Sequence, residues 1–147
     1  MNKVELTILG EPMGKQRPRY SMYGGIVRTY TPQKTINYES LITHEYNSKY
    51  GKLMFEKGTP LLVKVLAFYG LKKSDFGKKG LNKGGREKIS QRFATIKPDI
   101  DNVLKSVLDA LNGICYFDDN QISQIIATKE YTLETPRVEI YVEELNN

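Results

Sequence analysis

Two aspartates two residues apart, Asp99 and Asp101 in the run KPDIDNVLK, stand at the head of an apolar period, and a second acidic pair, Asp118 and Asp119, follows in YFDDNQ. Only six of the 147 residues are aspartates, and five of them, Asp99, Asp101, Asp109, Asp118 and Asp119, fall between positions 99 and 119. Carboxylates are gathered in a chain that is otherwise basic, with 22 Lys+Arg against 17 Asp+Glu and a net charge of +5. One aspartate before a helix is accounted for by capping, worth about 0.5–2 kcal/mol. A second is tolerable in the first turn, so the pair alone reads as structural more often than catalytic. On a helix, however, Asp101, Lys105 and Asp109 lie four residues apart and share one polar stripe. If the chain folds back after that helix, Asp118 or Asp119 faces Asp99 and Asp101. Converging carboxylates repel one another and raise their own pKa values, so such a cluster implies a bound cation. Oxygen donors with no His or Cys nearby favour Mg²⁺, with Mn²⁺ as a substitute, over zinc. The glycine and closing glutamate of a calcium EF-hand are missing.

The elements that must position these residues can be read from periodicity. Val4 to Leu9 alternates as a strand, and a short hairpin is expected through Gly24 and Gly25. Pro32 marks a helix start with Thr31 as its cap, and Ile36, Tyr38, Leu41, Ile42 and Tyr46 recur at helical intervals to about Tyr50. Leu61 to Tyr69 is β-branched and apolar enough for a central strand. Val103, Leu104, Val107, Leu108 and Leu111 predict an amphipathic helix from Ile100 to about Asn112, ending near Gly113. Two strands, Ile122 to Thr132 and Val138 to Val142, then turn around Pro136. Length and a 39% hydrophobic content suit one domain over residues 1–147, of α/β (α+β) class with two main helices.

Between Leu71 and Lys97 the character changes. Lys72, Lys73, Lys78, Lys79, Lys83, Arg86, Lys88, Arg92 and Lys97 face only Asp75 and Glu87, and Gly77, Gly80, Gly84 and Gly85 are spaced among them. The segment, about 71–97, reads as a flexible basic loop and not as packed structure. Lys15, Arg17 and Arg19 in GKQRPRY form a second basic stretch, and together the two could track phosphate backbones. Tyr116 and Phe117 could stack on an unpaired base, although at least one of them is expected in the core. His44 has no partner at a ligand or catalytic spacing and is expected to serve surface or packing roles.

KPDIDNVLKSVLDALNG followed by YFDDNQI resembles the RusA family of Holliday junction resolvases, whose hallmark is a D-x-D-N-x-x-K helix start and a later D-D-x-Q. GKQRPRY resembles the family's N-terminal basic segment, and YTPQKTINYE, Tyr30 to Glu39, the opening of its first long helix. The resemblance implies that Asp99, Asp101 and Asp119 are metal-binding carboxylates, that Lys105 is the catalytic lysine, and that Asp118 is a neighbouring acid whose part is open. Asp109 is left as a helix-surface or structural residue. It also implies a compact subunit with a small mixed sheet, acting as a symmetric homodimer on branched DNA in recombination and repair. The glycine- and lysine-rich stretch Lys72 to Arg92 departs from the family pattern in length.

Other bounds narrow the field. One cysteine, Cys115, rules out an internal disulfide and suggests a reducing compartment. MNKVELTIL lacks a signal peptide's apolar stretch, and no segment approaches the roughly 20 apolar residues of a membrane helix. A cytoplasmic, nucleoid-associated protein of bacterial or phage origin, with no membrane partner, is the expectation. Three function classes stand: a junction-resolving endonuclease, a D-x-D metal-dependent nucleotidyl or glycosyl transferase, and a non-catalytic DNA-binding protein. The transferase leaves the basic run idle, and the binding protein has no use for Asp119.

Overall fold

A computed structural model describes residues 2–146. Four strands form a mixed sheet in the order β1 (Lys3–Leu9), β8 (Arg137–Glu144), β4 (Leu61–Gly70), β7 (Ile122–Thr132). β8 runs antiparallel to both β1 and β4, whereas β4 and β7 are parallel. A parallel pair cannot be joined by a tight turn. The long connection from β4 to β7 therefore carries helices, and it also carries Asp99 to Asp119.

Alternation decides which face is buried. Val4, Leu6 and Ile8 of β1, Val63, Val65 and Ala67 of β4, and Val138, Ile140 and Val142 of β8 all point to one side, where their registers bring them together. Two helices cover that side. Helix α1 (Gln33–Tyr50) buries Tyr38, Ile42 and Tyr46, and a later helix, Ile100–Leu111, buries Val103, Val107, Ala110 and Leu111. The opposite face covers itself with mixed side chains: the Arg137 guanidinium lies 4.1 Å from the Phe68 ring centroid, and the Tyr141 hydroxyl donates to Glu139 at 2.8 Å. Antiparallel sheets commonly keep one such half-wet face.

The expected hairpin is present as β2 (Arg19–Tyr23) and β3 (Ile26–Tyr30), joined by Gly24 and Gly25 at φ +58° and +80°. Two successive positive φ values suit a tight hairpin turn, and glycine reaches them without strain. Helix α1 starts one residue later than expected. Pro32 occupies the cap position with extended backbone and makes no side-chain cap bond, so Thr31 is not the cap.

The segment 71–97 differs most from expectation. It contains a 3-10 turn (Lys73–Asp75), a small ribbon of β5 (Phe76–Gly77) and β6 (Gly80–Leu81), and a third helix, α2 (Lys83–Gln91). The physical reason is Asp75, which is buried and accepts from the Lys72 backbone at 2.8 Å and from Lys88 Nζ at 3.0 Å. Asn82 caps α2 through its side chain, accepting from Gly85 N at 2.9 Å. Polar interactions, which hydrophobic periodicity does not register, organise this segment. Among the described residues there are thus three α-helices, with α3 at Ile100–Leu111, where the sequence predicts two main ones.

Candidate active site

The entry to α3 is fastened from three sides. Tyr69, near the end of β4, donates its hydroxyl to the Pro98 carbonyl at 2.9 Å, and Lys129 of β7 reaches the Ile96 carbonyl. Lys15 N donates to the Asn102 carbonyl at 2.9 Å, and Ser106 Oγ to the Met13 carbonyl at 3.1 Å. Gly14 permits this approach, since a Cβ there would stand 2.9 Å from Pro98 Cβ and 3.1 Å from Asn102 Cβ. Asp99 follows at the cap position of α3. Its carboxylate makes no cap hydrogen bond. Capping, the plain explanation for an acid at this place, therefore does not account for it. Asp99 and Asp101 are both exposed, and Asp101 stands one turn of helix ahead of Lys105.

Further along the same stripe, Lys105 Nζ lies 3.8 Å from Asp109 Oδ2. Asp109 Oδ2 is also 2.8 Å from Lys15 Nζ, which in turn sits 2.7 Å from Glu39 Oε1 on α1. Burial disfavours the Lys15 charge, but hydrogen bonds and charges from Asp109 and Glu39 outweigh it and hold its pKa above the ordinary lysine value. Asp109 is thus the hub of a network linking the N-terminal loop, α1 and α3. The sequence left it as a helix-surface or structural residue, and the network makes it structural. Its spacing of four from Lys105 was the available signal, whereas nothing local marks Glu39.

The second acidic pair is shaped by Gln121. This buried amide accepts from Phe117 N at 2.9 Å and Asp118 N at 3.3 Å, and donates to the Glu56 and Thr59 carbonyls at 3.0 and 3.1 Å. One side chain closes the turn that presents Asp118 and Asp119. The Asp119 carboxyl is held above the usual aspartate range, first by its hydrogen bond with Asp118, then by desolvation and the charges of Asp118 and Asp109, with Lys105 pulling it back. Asp119, Asp109 and Lys105 therefore share one electrostatic field. Among the described residues, no three His, Cys, Asp or Glu side chains stand as a formed metal-holding group.

The basic residues divide into two sets. Arg17, Arg19, Lys72, Lys73, Lys78, Lys79, Lys83 and Arg86 are exposed. Lys15, Lys88 and the exposed Arg92 already hold acids, Arg92 through Glu130, and Lys83 also stands 4.0 Å from Glu87. Tyr116 is buried with its hydroxyl on the Leu108 carbonyl at 2.7 Å, while Phe117 is exposed. His44 is exposed on α1, and Cys115 is a core residue whose thiol burial pushes up to about 12.

The family model described as Endodeoxyribonuclease RusA matches residues 10–143, a span that contains Lys15, Glu39 and every acid from Asp99 to Asp119. The chain belongs to the RusA family. Beside that RusA match stand two relatives of nearly the same length. The uncharacterized protein YqaN of Bacillus subtilis (strain 168) is 32% identical over 99% of both chains. A protein of Lactococcus phage r1t, named crossover junction endodeoxyribonuclease rusA, is 27% identical over 91% of both. No helix of the described residues is long and apolar enough to cross a membrane.

Proposed function

We propose that this chain is a structure-selective endodeoxyribonuclease that resolves four-way DNA junctions by Mg²⁺-dependent phosphodiester hydrolysis, acting as a homodimer with one incision per subunit. The observation that carries this reading is the uncapped Asp99 carboxylate, exposed with Asp101 one turn before Lys105, in a chain of the RusA family. Asp99 spends no hydrogen bond on the helix end and is open to chemistry, and Asp101, in the first turn of α3, is exposed beside it.

Asp99, Asp101 and Asp119 would hold the ion, with Asp118 beside them, and an all-oxygen, all-carboxylate donor set fits Mg²⁺ or Mn²⁺. Crowded like charges around Asp119 are what a cation would relieve. When bound, Mg²⁺ supplies charge neutralisation at the phosphate and activation of the attacking water. In the reaction, a water oxygen bonds to phosphorus as the bond to one ester oxygen breaks, the water proton leaves, and the departing oxygen gains one.

Lys105 suits the stabilisation of charge developing on the phosphate, because its amine is largely exposed beside Asp109. A lysine acting as base needs a desolvated amine. Such stabilisation is typically worth about 10²–10³-fold. Asp109 orients Lys105, and through Lys15 and Glu39 it ties that orientation to the loop and α1. The exposed cations Arg17, Arg19, Lys72, Lys73, Lys78, Lys79, Lys83 and Arg86 would then follow the phosphate backbones of the junction arms.

The test is strand cleavage of a labelled four-way junction and a matched linear duplex, with and without Mg²⁺, beside Asp101→Asn. Paired symmetric nicks on the junction alone, absent without metal and in a folded variant that still binds, support the reading. Binding with no metal-dependent cut would leave a DNA-binding protein. Inhibition by free nucleotide together with absent cleavage would favour a transferase.

A further inference from the structure

Between Arg19 and Tyr30 the chain forms a two-stranded hairpin in which every strand residue is exposed. An isolated hairpin is marginal in water. Yet this one holds Tyr20, Met22, Tyr23, Ile26, Val27 and Tyr30 in the open. Cross-strand register sorts them: Arg19 opposite Tyr30, Ser21 opposite Arg28 and Tyr23 opposite Ile26 share one face, and Tyr20 opposite Thr29 and Met22 opposite Val27 share the other. The first face interleaves two arginines with two tyrosines. No acid lies anywhere between Glu11 and Glu39, while Lys15, Arg17, Arg19, Arg28 and Lys34 do.

The hairpin is also joined to the acidic site by a surface path. A cleft of about 430 Å³ beside Asp99 is lined by Gly14, Lys15, Gln16, Lys34 and Lys97. A second, of about 250 Å³, shares Gln16 and Lys34 and ends on Arg19 and Tyr30. Aromatic rings set among cations along a groove are the chemistry that holds single-stranded nucleic acid, where stacking is indifferent to base identity.

We propose that a single DNA strand is led from Asp99 across Gln16 and Lys34 onto the Arg19/Tyr30 face of the hairpin. There Tyr30 and Tyr23 stack on its unpaired bases and Arg19 and Arg28 hold its phosphates. This rests on the nuclease reading and adds to it a strand-holding arm that acts where base pairing opens. A second copy of this chain could instead cover the Tyr20, Met22 and Val27 face. The absence of acids and the continuity with the Asp99 cleft favour the strand.

The experiment uses the whole chain without divalent metal, a four-way junction with 2-aminopurine at its crossover, and a thymidine oligonucleotide. Tyr30→Ala and Tyr23→Ala should each weaken binding about tenfold and remove the 2-aminopurine signal, as expected when one base loses its stacking partner. Tyr30→Phe should retain both. Arg28→Gln should lower the salt slope on the single strand by about 0.7. Unchanged binding and signal in folded alanine variants, with a wild-type protein that binds junctions and cuts them once Mg²⁺ is added, would overturn the arm and leave the nuclease reading standing. Alanine variants that shift from dimer to monomer in sedimentation, losing DNA only in proportion, would overturn it in favour of a second copy. A wild-type protein that neither binds nor cuts branched DNA would overturn both.

Discussion

At the scale of single residues, the site depends on side chains that reach no substrate. Gln121 meets four backbone groups, and leucine in its place would orphan the Glu56 and Thr59 carbonyls and the Phe117 N–H. Gln121→Leu should therefore cost roughly 2–3 kcal/mol in urea unfolding. It should also reduce kcat more than junction binding, because Asp118 and Asp119 lose their turn. Unchanged turnover in that variant would mean the turn is held by other bonds. Lys15 tests the opposite kind of role. If its amine serves Glu39 and Asp109, Lys15→Met leaves the half-buried Glu39 unpaired and Asp109 with only its longer contact to Lys105, and should lower stability by roughly 1–3 kcal/mol, while the salt slope of DNA binding stays as it was. Asp109→Asn in the same chain should return part of that stability. A fall in slope of about 0.9 on duplex arms, without destabilisation, would instead make the Lys15 amine a phosphate ligand.

At the scale of elements, α2 and its buried Asp75 behave as a unit held by charge. The Lys72 N–H, and after it Lys88, keep the Asp75 carboxyl below the ordinary aspartate range. A depressed folded-state pKa contributes stability above the unfolded value of about 4 and loses it as pH falls through the lower folded value. Amide exchange protection over Lys83–Gln91 should thus be steady at neutral pH and fall away below about pH 4, and Asp75→Asn should abolish it throughout. Protection that persists in the variant would show that Asn82 capping alone suffices. This helix is also where the sequence was least legible. KGGREKISQ offers two glycines and a single apolar residue, so no hydrophobic period marks it, and only Asn82 as a cap and the Lys83 to Glu87 spacing hinted at a helix. By contrast, β1, β4, α3 and β8 bury one face against the core, and burial prints its period on the sequence. The stripe of Asp101, Lys105 and Asp109 was legible for the same reason, since α3's period fixes it, with Asp99 at the cap just before. Glu39 was not, because its meeting with Lys15 depends on how α1 and the N-terminal loop pack.

At the scale of the whole molecule, charge and chemistry are carried on different parts. Lys72, Lys73, Lys78, Lys79, Lys83 and Arg86 project from the segment between β4 and α3, and the acids lie on α3 and the turn before β7. Neutralising Lys78, Lys79 and Arg86 together by glutamine should leave cleavage at saturating DNA intact and reduce the salt slope by about 0.9 for each phosphate no longer neutralised. A slope that does not move would make these cations a solubilising surface only. Resolution of a junction requires two incisions on strands of like polarity, and one chain carries one set of Asp99, Asp101 and Asp119. The proposed paired incision therefore calls for two chains at once, which makes subunit mixing decisive. Wild-type protein mixed with an excess of folded Asp101→Asn protein should pair most of the active subunits with an inactive one. In a cruciform plasmid assay, nicked circles should then accumulate at the expense of linear product. If linear product instead falls in step with the wild-type fraction and no nicked circle builds up, each chain cuts independently and the dimeric mechanism fails, even with every residue assignment on α3 intact.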